Sequence, residues 1–153
     1  MKVHIGVDQA SDLIHSVETT SANVNDITRA AQLLHGEEEV VYGDAGYQGI
    51  EKHPEISDKT ITFRVAIRPG KRRALPNTQD GRLQDLMETA KAHIRAKVEH
   101  PFRVIKEQFG FRKTRLRGMS KIHCKVNLIA PLTNLYLARS YLLATKWPQH
   151  TCI

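Results

Sequence analysis

Hydrophobic and polar positions alternate at the start of the chain. Val3, Ile5 and Val7 interleave with His4, Gly6 and Asp8, the period-two pattern of a half-buried strand. Leu13 to Thr20 is rich in β-branched residues and Asp8-Gln9-Ala10-Ser11-Asp12 is turn-like, so the two runs read as a hairpin. The period then lengthens. Ile27, Ala30, Ala31 and Leu34 fall at i, i+3, i+4 and i+7, between a cap at Asn25 or Asp26 and a stop at Gly36, which predicts an amphipathic helix of about ten residues. Val40 to Tyr42 is a short unbroken apolar run of the kind buried on both faces, and Gly43, Gly46 and Gly49 loosen the chain behind it. Strict alternation returns at Ile61, Phe63, Val65 and Ile67.

The remainder is helical in pattern. Arg68-Pro69-Gly70-Lys71-Arg72-Arg73 reads as a basic loop, after which Leu83, Met87, Ala90, Ile94, Val98 and Ile105 mark one stripe of a long helix beginning near Asp80. Pro101 lacks an amide hydrogen and predicts a bend, or the meeting of two helices, just past Glu99. Phe109-Gly110-Phe111 ends that helix, and Ile122 to Leu143 reads as a mainly buried helix bent near Pro131. Strands followed by helices give an α/β class. With 153 residues, 41% of them apolar, the chain suits one domain, residues 1–145, with a C-terminal tail at 146–153.

Composition narrows the chemistry. No run approaches the roughly 18 apolar residues of a membrane span, and Met1 to Gly6 lacks a signal-peptide core, so a soluble cytoplasmic protein without a membrane partner is expected. Cys124 and Cys152 have no metal or disulfide spacing, the eight histidines form no H-E-x-x-H, and the glycines form no phosphate-binding loop. Net charge is +7, unevenly placed: residues 1–44 carry two basic and eight acidic side chains, whereas residues 95–121 carry nine basic and two acidic. Such a stretch suits a polyanion such as nucleic acid, although a solvated basic face would look the same.

Two carboxylates stand out against this background. Asp44 closes the Val40 run, and 55 positions later Glu99 rides the long helix in Arg95-Ala96-Lys97-Val98-Glu99. At about 100° per residue, Arg95, Glu99 and Lys106 share a face bordering the apolar stripe. Carboxylates from separate elements beside cations suit a metal-dependent phosphodiester-cleaving site, in which Mg²⁺ takes acidic oxygens and the cations hold phosphates.

The succession of hairpin, helix, strand ending in Asp44, further strand and helix carrying R-x3-E-x6-K resembles the catalytic domain of DDE-type insertion-sequence transposases, in particular the Y-x2-R-x3-E-x6-K subgroup. The resemblance implies a ribonuclease H-like mixed sheet flanked by helices. It implies that Asp44 is the second catalytic Asp and Glu99 the catalytic Glu, together holding two Mg²⁺ ions in the complete enzyme. It gives Arg95 and Lys106 the role of DNA-phosphate contacts, and Arg103, Arg112, Lys113, Arg115 and Arg117 extend that basic stretch. Ala92 stands where the family has Tyr.

The family's first catalytic Asp belongs to a strand preceding the Val3 hairpin, and the sequence begins after it. Asp8 and Asp12 read as solvated turn residues rather than substitutes. The expected sheet therefore lacks its first, central strand and has two open edges, with marginal stability as the consequence. A helix-turn-helix for recognising element ends is likewise expected to be absent, and Met1 reads as an internal start in a decayed or split transposase gene.

Taken together these features predict the carboxy-terminal part of a nucleoid-associated transposase, inactive alone, that binds transposon ends and target DNA. The alternative is a non-catalytic DNA-binding remnant that modulates full-length transposase by association with it or with itself. An unrelated Mg²⁺-dependent nuclease or phosphatase would need a third carboxylate near Asp44.

Overall fold

A computed structural model describes residues 1–57 and 59–144; the expected tail at 146–153 and Cys152 lie outside the described residues. Strands β1 (Lys2–Val7) and β2 (Ile14–Thr20) are followed by helix α1 (Ile27–Leu33), then β3 (Val40–Gly43) and β4 (Thr62–Val65). Helices α2 (Pro69–Arg73), α3 (Gln79–Glu107) and α4 (Met119–Ala144) complete the order. β1 and β2 form the antiparallel hairpin anticipated from their alternation. Its turn is closed by Asp8, whose carboxylate accepts from the Ser11 amide at 2.8 Å and the Ser11 hydroxyl at 2.6 Å. β3 and β4 run parallel, from Val40 opposite Thr62 to Gly43 opposite Val65. The two pairs are separate two-stranded sheets.

Several details depart from the sequence pattern. Val40 to Tyr42 is not buried on both faces: Val40 is exposed, because β3 has a single strand neighbour and its other edge borders a cavity. The expected basic loop at 68–73 contains the short helix α2, with Pro69 in the first turn, where its fixed φ favours helix and its missing N–H is not needed. α1 spans seven residues rather than about ten. The amide of Ile27 is capped by Asn25 at 3.2 Å, and Asp26 instead pairs with Lys2 at 2.7 Å.

The core lies where α3 and α4 meet the hairpin, through Ile5, Ile14, Ile105, Ile129 and Ala130. Ala30, Ile50 and Ile56 form a second cluster under β4. Asn134 on α4 clasps the start of β2, accepting from the Ile14 amide at 2.9 Å and donating to its carbonyl at 2.8 Å. α3 is capped by Thr78 and continues through the buried Pro101 as one 29-residue helix, so two helices do not meet there.

Two helical faces are wetter than their patterns suggested. Leu83 and Met87 are 58% and 56% exposed. α4 is not mainly buried: Ile122, Val126, Ile129, Ala130 and Thr133 face the core, while Leu128 and Leu135 are 63% and 57% exposed. No helix among the described residues is long and apolar enough to cross a membrane.

Candidate metal and nucleic-acid site

Asp44 leaves β3 in extended conformation and caps the single turn Ala45–Tyr47, its Oδ1 accepting from the Gly46 amide at 2.8 Å. A side chain on Gly46 would start 3.0 Å from Asp44 Oδ1 and 3.1 Å from Asp26 Oδ2, so glycine is what allows two carboxylates to crowd this turn. Asp26 is a site residue that sequence reasoning missed. It reads as a helix cap, and only the folded chain brings it beside Asp44, with Lys2 balancing its charge.

Behind the turn runs a neutral polar spine. The Tyr47 hydroxyl lies 3.2 Å from His4 Nδ1, and His4 Nε2 lies 3.0 Å from the Thr20 hydroxyl. Burial, reinforced by the negative charges of Asp26 and Asp44, pushes the Tyr47 phenol up to about 12. Burial also holds His4 below the ordinary histidine value. Both groups are therefore uncharged near neutral pH, and they link the two sheets without adding charge beside Asp44.

Glu99 is presented by α3, whose position is set by an acid further along it. The buried Glu88 accepts from the Ile67 amide at 3.0 Å and from Lys91 Nζ at 2.6 Å, and Lys91 also donates to the Val65 carbonyl at 3.2 Å. These bonds outweigh burial and keep the Glu88 carboxyl below the usual range. They fasten α3 to the end of β4, next to the strand that delivers Asp44.

The two anticipated carboxylates meet on one cavity of about 570 Å³ between the sheets, lined by Asp44, Glu99, Arg95 and Asp26 together with apolar residues. Both Asp44 and Glu99 are exposed to solvent there. Glu99 also belongs to an adjoining groove of about 710 Å³, where it is joined by Arg103, Lys106, Arg112 and Lys113. Lys106 sits 5.8 Å from the Phe102 ring centre, and Arg112 is paired with Glu107. Arg115 and Arg117 are exposed on the following loop and line neither cavity. Asp8 and Asp12 stay in the hairpin turn, Asp12 pairing with Lys97 at 3.1 Å.

Among the described residues no group of three or more His, Cys, Asp or Glu side chains is disposed to hold a metal. Mg²⁺ keeps several waters and binds through one or two carboxylates. Asp44 and Glu99 line the same cavity without forming such a group.

The sequence family described as "Transposase DDE domain" matches residues 1–135. No solved structure matches the chain significantly. With the match covering most of its length, the chain belongs to the DDE transposase family.

Proposed function

We propose that this chain is part of a ribonuclease H-like transposase catalytic unit of the Y-R-E-K subgroup, holding one divalent cation between Asp44 and Glu99 and DNA along the adjoining basic groove. The observation that carries it is the meeting of two solvent-exposed acids, 55 positions apart in sequence, on one cavity with Arg95. When bound, the cation supplies Lewis-acid polarisation of a phosphodiester and lowers the pKa of an attacking water. Arg95 neutralises the phosphate beside the carboxylates, and Arg103, Lys106 and Lys113 grip the flanking backbone. The Gly46 amide orients Asp44, while the Glu88 anchor sets the height of Glu99 on α3. Asp26, the third acid on the cavity, is paired with Lys2, which leaves two carboxylates for the cation; these are too few for a two-metal reaction, so the chain alone does not carry out strand transfer. Its place is the nucleoid, on transposon ends and target DNA.

Nicking of supercoiled DNA in Mg²⁺ or Mn²⁺ tests this. The isolated chain should leave the plasmid intact. Robust nicking abolished by Asp44→Ala would overturn the inactivity while supporting the chemistry, and nicking indifferent to Asp44→Ala and Glu99→Gln would overturn both.

One observation favours a second function, DNA binding without cleavage: four cations line the groove beside Glu99. Arg112 of that groove is paired with Glu107, whereas Arg103, Lys106 and Lys113, with Arg95 of the neighbouring cavity, lie outside every ion pair of the described residues. If these four meet phosphates, log affinity for duplex DNA should fall with log salt at a slope of about −3.6.

A further inference from the structure

α4 is apolar on two opposite faces, and the fold buries one of them. At about 100° per residue and with Leu128 as zero, the buried Ile122, Val126, Ile129, Ala130 and Thr133 fall between about 100° and 200°. Leu128, Leu132, Leu135, Leu142 and Leu143 fall within about 60° of zero and are between 42% and 85% exposed. The described residues therefore leave a second apolar stripe on the far side of the helix. Val126 and Ile129 of the buried face line the basic groove, so the exposed stripe is turned away from it.

Spacing and charge describe what fits this stripe. Positions 128, 132, 135, 139 and 142 step alternately by four and three, the repeat that lets one helix pack along another. Arg139 interrupts the leucines, but its guanidinium lies 4.0 Å from the Tyr136 ring centre and donates to the Tyr136 carbonyl at 2.6 Å. The charge is thus drawn to the edge of the stripe, and the stem stays beside the leucines. Lys121 and Lys125 continue the face toward the start of α4, and the helix contains no acidic residue. Two copies set parallel would bring each of these cations against its own counterpart. Set antiparallel about a two-fold axis between Leu132 and Leu135, Leu132 meets Leu135 of the second copy, and Arg139 meets Leu128 of the second copy. Arg139 then lies about 16 Å from its counterpart along the pair and one turn from Lys125 of the second copy, at a solvated rim.

We propose that this face of α4 pairs with the same face of a second copy, antiparallel and across a two-fold axis, in a reversible dimer. The five leucines show about three whole leucine surfaces, a patch in the class of about 300–600 Å² that marks an interaction site. Doubled across the axis it reaches about 600–1,200 Å², the range of small, transient complexes. A second copy supplies the matching four-three repeat, covers both stripes at once and closes the contact, so no third copy adds. The pairing does not rest on the cation chemistry proposed above, and it leaves the basic groove of each copy open.

Sedimentation equilibrium of the full chain tests this. The parent should dimerise with a Kd in the micromolar range and form no higher oligomer. Leu132→Lys with Leu135→Lys should weaken the dimer about thirtyfold or more with circular dichroism unchanged. Arg139→Leu completes the repeat and should tighten the dimer about tenfold, a gain that misfolding cannot imitate. Raising NaCl from about 0.05 to about 0.5 M should tighten the parent dimer by screening the rim cations, the reverse of its effect on DNA binding. Orientation is read from Cys124 in a Cys152→Ser background: the antiparallel pair holds the two thiols about 28 Å apart along its axis, which forbids the disulfide that a parallel pair allows. A monomer at about 100 µM, or a dimer unmoved by the lysine pair or by Arg139→Leu, would overturn the proposal. Rapid Cys124 cross-linking would overturn it by making the pair parallel. Loss of the dimer in Met87→Lys, with the lysine pair harmless, would place the contact on the exposed stripe of α3 instead. A dimer loosened by salt would rest on attraction between unlike charges, which two α4 faces do not offer, and would overturn it as well.

Discussion

Glu88→Ala removes the single buried acid that ties α3 to β4. The Ile67 amide then loses its acceptor, and an unsatisfied buried donor costs about 1–3 kcal/mol. Lys91 keeps only the Val65 carbonyl, and breaking a buried pair costs about 3–5 kcal/mol, a figure discounted here because Lys91 retains 20% side-chain exposure. A total loss of about 3 kcal/mol follows, which lowers the melting temperature of a domain this size by about 6–12 °C. Glu88→Gln keeps an acceptor for Ile67 and should lose about a third of that. Differential scanning calorimetry of the three proteins at pH 7 measures the effect. The pH dependence supplies a second check. A carboxyl held below its ordinary 4.5 in the folded state stabilises above that value, and the contribution is lost as pH falls through it toward the folded value. The parent should therefore lose its advantage over Glu88→Ala as pH falls below about 4.5. An alanine variant melting within about 1 °C of the parent at pH 7 would refute the anchor, because no loss of buried hydrogen bonds is that small.

Four further outcomes are expected. His4 is buried neutral with a lowered pKa, so unfolding exposes a group that takes up a proton below pH 6.5; stability should fall as pH drops below 6.5, and His4→Gln should flatten that part of the curve. Ile105→Ala empties a position 4% exposed in the main core and should cost about 2–5 kcal/mol in urea unfolding. Gly46→Val crowds the Asp44 and Asp26 carboxylates and should weaken Mn²⁺ binding about tenfold, as disturbed ligand support does, with circular dichroism unchanged. With each of the four strands paired on one side only among the described residues, the chain alone should melt broadly below about 45 °C, and a sharp monomeric transition well above that would contradict the open edges.

The hairpin was legible because Val3, Ile5 and Val7 of β1 meet the apolar core while His4 between them is buried against polar partners, which leaves the alternation in the sequence. α3 was legible because its second half packs at i, i+4 and i+7 through Val98, Phe102 and Ile105. Burial was read less well. Helical periodicity shows where an apolar face is but not what covers it, so Leu83, Met87, Leu128 and Leu135 were placed inside although more than half of each is exposed. β3 misled in the same way: Val40 to Tyr42 has the composition of a central strand, and it borders a cavity instead. At the site, Asp44 and Glu99 could be singled out from the strand end and the R-x3-E-x6-K spacing. Asp26, His4 and Tyr47 could not, because side-chain geometry alone joins residues far apart in sequence: Asp26 meets Lys2 across 24 positions, and His4 meets Tyr47 across 43. α2 carried a signal in Pro69, which its glycine and three cations obscured.

Mn²⁺ titration of the parent, Asp44→Asn and Glu99→Gln, followed by electron paramagnetic resonance, bears most directly on whether two distant acids share one cation. One bound ion in the parent, lost in either variant while both variants keep the parent's melting temperature, is the predicted result. No binding in the parent, or binding of equal strength in all three proteins, would contradict it.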